Sequence, residues 1–151
     1  MASRVNSSPV LRRLILDTNV VLDCFGFADP DSEAVVNDLL GGHAALLSNA
    51  ALRAELTRVL CYPALPFDEA RRRQVLDRYD ALAQPIGAAA ASFALPSCRD
   101  LDDQKFLEAA RDGGADFLIT KDKALLKLAR HASSARRFTI LTPAGYARRR
   151  H

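Results

Sequence analysis

Apolar positions along the chain fall into two alternating kinds of run. Short and nearly unbroken ones occur at residues 14–16, 44–48, 117–120 and 138–141. Between them the apolar residues recur every three or four positions, as at Leu52, Leu56, Val59 and Leu60. Unbroken short runs predict strands covered on both faces, and the spaced ones predict amphipathic helices. The resulting order, β-α-β-α-β-α-β, predicts a three-layer α/β/α fold around a central, mainly parallel sheet of four to five strands.

Polar residues punctuate the helices. Pro30 and Asp31 open one that runs through Leu40 and closes at Gly41-Gly42. Asn49 is placed to cap a helix beginning at Ala50, which Pro63 and Pro66 end. Asp68 caps a long helix to about Ala83, with Val75, Leu76, Tyr79 and Leu82 inward and Arg71-Arg72-Arg73 mostly outward. Asp102 or Asp103 opens a helix that ends at Gly113-Gly114, Asp122 opens another, and Pro143 starts a short last one. The alanine-rich stretch 87–95 fits either a short strand or a loop.

Composition narrows the class. With 151 residues, 49% hydrophobic and 26% charged, the chain suits one globular domain. We expect that domain at 12–147, between a flexible tail at 1–11 and a basic tail at 148–151. No apolar run approaches a membrane span, and Arg4, Arg12 and Arg13 precede no leader-like apolar core, so a cytoplasmic location is expected. Cys24, Cys61 and Cys98 form no CxxC pair, which fits a reducing compartment better than disulfides or zinc. The net charge of +3 is concentrated in arginine clusters at 71–73, 136–137 and 148–150. Such clusters permit a polyanionic partner and equally describe solvated helix faces.

The acids sharpen the picture. In the stretch LILDTNVVLD, Asp17 ends the first strand, where a carboxylate must be paired, solvated or used. Asp122 follows the strand at 117–120, and Asp100, Asp102 and Asp103 crowd the start of the helix before it. Groups at the carboxyl ends of parallel strands converge on one edge, where such folds bind ligands. Glu55, in the helix after Ser48, starts from that edge. Taken singly, Asp103 and Asp122 could be helix caps, Asp17 an Asx-type turn, and Glu55 a partner for Arg58. Together the carboxylates repel unless cations neutralise them, and the lysines that stand out near them in sequence are Lys121 and Lys123. All-oxygen donors suit Mg²⁺ or Mn²⁺, and two such ions can cut a phosphodiester by activating water and stabilising the leaving oxygen. Asp23, the other acid of the stretch, is expected at the solvent or the groove rim.

These residues, with DLDDQKFLEAARDGGADFLITKDKALL and the closing FTILTPAGYA, resemble the PIN domain over residues 12 to 147. More narrowly, they are similar to VapC-type toxins of bacterial toxin–antitoxin pairs. The resemblance implies an endoribonuclease using one or two Mg²⁺ or Mn²⁺ ions. Under it Asp17, Glu55, Asp103 and Asp122 are the catalytic and metal-holding acids, with Asp102 and Asp100 as neighbours of the third. Asn19 and Thr120 match residues that orient carboxylates or water. Lys121 stands where glycine or arginine is common, and with Lys123 it is a candidate contact for RNA phosphates. The resemblance further implies a homodimer and a small cognate antitoxin, as in a type II pair.

Two other classes share parts of this pattern. A non-catalytic RNA- or protein-binding module of the same fold would bind RNA in a salt-dependent, metal-independent way. A phosphatase of the haloacid dehalogenase type needs a second aspartate where Asn19 stands, and no GxGxxG marks a dinucleotide site.

Overall fold

The computed structural model describes residues 11–86, 101–129 and 138–149. Its sheet has five parallel strands in the order β3-β2-β1-β4-β5: β1 (Arg12–Leu16), β2 (Ala44–Ser48), β3 (Ala83–Pro85), β4 (Phe117–Ile119) and β5 (Thr139–Leu141). The middle strands have side chains buried on both faces, so their hydrophobic runs are continuous. The three-residue β3 lies at an edge, where Pro85 costs the sheet no interior hydrogen bond.

Alternate strand residues feed two cores. Leu14, Leu16, Leu46, Ile119 and Leu141 pack on one face against α1 (Thr18–Phe25), α2 (Glu33–Leu40) and α4 (Glu69–Leu82), joined by Tyr146 of α7 (Pro143–Arg149). Ile15, Leu47, Leu118 and Ile140 pack on the other face against α5 (Leu101–Gly113) and α6 (Lys123–Leu126). Helix α3 (Ala50–Leu60) serves both, with Leu56 and Leu60 in the first core and Leu52 in the second. The three layers are those expected.

Local chemistry explains the boundaries. Asn49 accepts from Leu52 N at 2.9 Å and Asp68 from Arg71 N at 2.8 Å, each capping its helix. A short 3₁₀ turn at Pro30–Ser32 leads into α2. Gly114 follows α5 at φ +62, a left-handed conformation that lets the chain turn sharply into β4. Asp102 and Asp103 lie inside the first turn of α5.

Three expectations change. Residues 18–25 are helical, although no helix was expected there. Asp23 is buried on that helix and paired with Lys121. It lies on the packed side of α1, where the chain emerging from β4 brings the lysine to it. Helix α7 continues through Arg149, inside the stretch expected as a basic tail. The alanine-rich 87–95 stretch, Asp100, Cys98, Arg136-Arg137 and all but Leu11 of the N-terminal tail lie outside the described residues. Among the described residues, no helix is long and apolar enough to cross a membrane. Burial pushes the Cys24 thiol up to about 12, which suppresses thiolate chemistry there.

Candidate active site

Backbone hydrogen bonds knit the carboxyl ends of the central strands. Asp17 N donates to Ile119 O at 3.0 Å, and Thr120 N donates to Leu141 O at 2.9 Å. These bonds set Asp17 and Thr120 side by side just beyond β1 and β4. Thr120, fully buried, donates its hydroxyl to Asp17 Oδ2 at 2.6 Å and accepts from Asp122 N at 2.9 Å. One hydroxyl thus fixes the direction of one carboxylate and the backbone leading to the next.

Asp17 is 5% exposed. Burial pushes its pKa above the ordinary value; the Thr120 and Asn19 hydrogen bonds oppose the rise, and the charges of Asp122 and Glu55 add to it. The fold therefore brings Glu55 and Asp122 each within electrostatic reach of Asp17. Asn19 meets Asp17 through its backbone N–H at 3.4 Å, while its side chain is exposed.

Glu55 reaches the same edge from α3. Its Oε2 accepts from the Thr18 hydroxyl at 2.6 Å, and its Oε1 pairs with Lys105 of α5. Arg58, the alternative partner for Glu55, also pairs with Oε1, at 3.6 Å, and is more exposed than Lys105. Lys105 was missed in the sequence although it lies two residues after Asp103, within the DDQK stretch. Lys121, in contrast, is turned to Asp23.

Two of the acids also cap helices. Asp122 Oδ1 accepts from Ala124 N at 2.7 Å and Leu125 N at 3.3 Å, while Asp17 caps α1 through Asn19 N. Capping engages one oxygen of Asp122 and leaves the other outside that motif. Asp103 is half-buried in the first turn of α5 and Asp102 is exposed; Lys123 is exposed beside Asp122.

The model of the PIN domain family matches residues 13–124. The chain belongs to the PIN domain family. Proteins of this family are generally nucleases that work with divalent metal ions. No match was found among curated proteins. Among solved structures, the chain is similar to one from VapBC2 of Rickettsia felis bound to a DNA fragment from their promoter. The TM-score is 0.52 and the identity 14%, over 86% of this chain and 98% of that one. At that identity the likeness is one of fold.

The donor chemistry of this PIN domain fits a hard divalent cation, since the converging groups are carboxylates on a sheet edge. Among the described residues, no three acidic, histidine or cysteine side chains stand close enough together to enclose a metal ion. Glu55 is engaged by the ammonium group of Lys105.

Thr120 offers a direct test of how the edge is built. Replacing it with valine removes the donor to Asp17 and the acceptor for Asp122 N while keeping the shape. We expect Thr120→Val to cost about 1–3 kcal/mol, measured by chemical denaturation.

Proposed function

We propose that this PIN domain is a metal-dependent endoribonuclease and the toxin of a type II toxin–antitoxin pair. The observation that carries the proposal is the placement of Asp17, Glu55 and Asp122 at one sheet edge, where burial and mutual charge push the Asp17 pKa up. Scaffold caps gain nothing from facing one another, since a serine or threonine would cap without a buried charge.

In this account Asp17, Asp122 and Asp103 hold Mg²⁺ or Mn²⁺, with Glu55 completing the set directly or through water. Asp103 suits the role better than Asp102 because it is the more enclosed of the two. When bound, the cation supplies charge neutralisation for the phosphodiester and a water acidified enough to attack it. The protein's own contribution is orientation: Thr120 aims Asp17, and Thr18 holds Glu55. Lys123 is an exposed candidate for backbone phosphates, whereas Lys121 must first leave Asp23 to serve there.

The fold shared with a VapBC2 chain supports a small antitoxin as partner. An arginine from such a partner would complement the acidic edge by charge-assisted hydrogen bonds. Homodimer formation and a cytoplasmic location complete the proposal.

The test is incubation of the purified protein with total RNA, with and without Mg²⁺ or Mn²⁺, and mapping of the new ends. We expect cleavage only with metal, leaving 5′-phosphates and 3′-hydroxyls. Salt-sensitive RNA binding without cleavage under any metal would instead identify a binding module.

A further inference from the structure

Lys105 and Glu55 form an enclosed pair. The Glu55 side chain is 12% exposed and that of Lys105 is 23% exposed, against 58% for the neighbouring Arg58. The pair joins α3 to α5, and the Thr18 hydroxyl holds the second oxygen of Glu55 in place at 2.6 Å. Shielded from water, the two charges attract more strongly than an exposed pair would, and removing either partner leaves the other's charge uncompensated. Its position adds a further meaning. Glu55 is one of the two carboxylates whose charges act on buried Asp17, so the Lys105 ammonium is paired with an acid that belongs to this edge. Lys121 gives that edge less help, because its ammonium is engaged by Asp23.

We infer that Lys105 is the resident counter-ion of Glu55 in the metal-free protein and yields that carboxylate when a divalent cation enters the site. The inference rests on the reading of these acids as a metal centre. The physical reason is competition. A fixed ammonium and a divalent ion repel at the separation that one carboxylate imposes, so Glu55 serves one cation fully at a time. The exchange lets the protein fold with its acids partly neutralised before any metal arrives, and it lowers metal affinity in return. Lys105 is thus a positioning residue for the site, distinct from a brace that only ties α3 to α5.

Three proteins separate these roles: wild type, Lys105→Met and Lys105→Arg, each full length and freed of metal by chelator. Mn²⁺ binding is measured by titration calorimetry, and the metal-free melting temperature by calorimetric scanning. We expect Lys105→Met to bind Mn²⁺ roughly tenfold more tightly than wild type while melting lower without metal. Lys105→Arg should stay within about threefold of wild type in affinity, because it keeps a cation at Glu55. In the wild type alone, NMR detection of lysine ammonium groups should show a slowly exchanging Lys105 signal that is lost on adding Mg²⁺. A brace would lower the melting temperature and leave Mn²⁺ affinity unchanged or weaker, and a Lys105 signal unmoved by Mg²⁺ would agree with it. Either result overturns the exchange while the metal centre stands. Absence of Mn²⁺ binding by folded wild type overturns both.

Discussion

Asp17→Asn is expected to lower metal-dependent RNA cleavage by about a thousandfold, equivalent to about 4 kcal/mol of transition-state stabilisation. The same substitution should stabilise the metal-free fold. Burial holds the Asp17 pKa above its ordinary value of 3.8, with Asp122 and Glu55 adding to the rise. An acid raised in this way disfavours the folded state at any pH above its folded pKa. The deficit shrinks as pH falls through that value towards the unfolded one. Asparagine removes the charge and retains an acceptor for the Thr120 hydroxyl. At neutral pH we expect a gain on the order of 1 kcal/mol, or about 2–4 °C in Tm, that closes as pH falls towards the carboxylate range. Calorimetry across that range, beside the cleavage assay, checks both halves. Lost cleavage with raised stability separates chemistry from folding, because a damaged fold would lower both.

The second large effect lies away from the acids. Tyr146 of α7 is fully buried, donates to Asp38 Oδ2 of α2 at 2.6 Å, and sets its ring edge-on to Phe117 of β4 at 5.6 Å. Arg12 of β1 lies 3.7 Å from the same carboxylate oxygen. One side chain therefore links the last helix to the sheet and to a buried charge. Tyr146→Ala should cost about 4 kcal/mol, since it opens a large cavity and removes a donor to Asp38. Tyr146→Phe keeps the ring and isolates the hydroxyl, with an expected loss of about 1–3 kcal/mol. Urea denaturation measures both. At temperatures where the variants stay folded, RNA cleavage should be retained, because the Tyr146 hydroxyl is engaged by Asp38 and its ring by Phe117.

Much of this architecture is legible in the chain because buried parallel strands leave unbroken apolar runs and helix caps leave polar marks. Asn49, Asp68 and Asp122 all accept the backbone N–H groups that their positions suggest. Helix α1 escapes that logic. Val20, Val21, Leu22, Asp23, Cys24 and Phe25 are all buried, and the eight-residue segment follows directly on the apolar run of β1, so it is too short to stand out from that run as a separate helix. Strand β3 is three residues long and includes a proline, too little pattern to mark a strand.

The candidate site is legible in its acids and less so in its cations. Asp17 and Asp122 each follow an apolar run, so a parallel sheet brings them to the same edge. The pairing of Asp23 with Lys121 needs the β1–β4 register, which joins residues about a hundred apart, and no local pattern carries that. Lys105 is a different matter. It stands beside Asp103 at the start of α5, and its helix faces the edge that Glu55 reaches from α3. A lysine so close to the acids was a readable signal of partial internal neutralisation.

If these acids hold a divalent cation, diffraction from crystals soaked in Mn²⁺ will locate it. We expect an anomalous peak ligated by carboxylate oxygens of Asp17 and Asp122, with Asp103 beside it and Lys105 withdrawn from Glu55. Crystals saturated with Mn²⁺ that show no peak at this edge, with Lys105 still paired to Glu55, would contradict a cation site there.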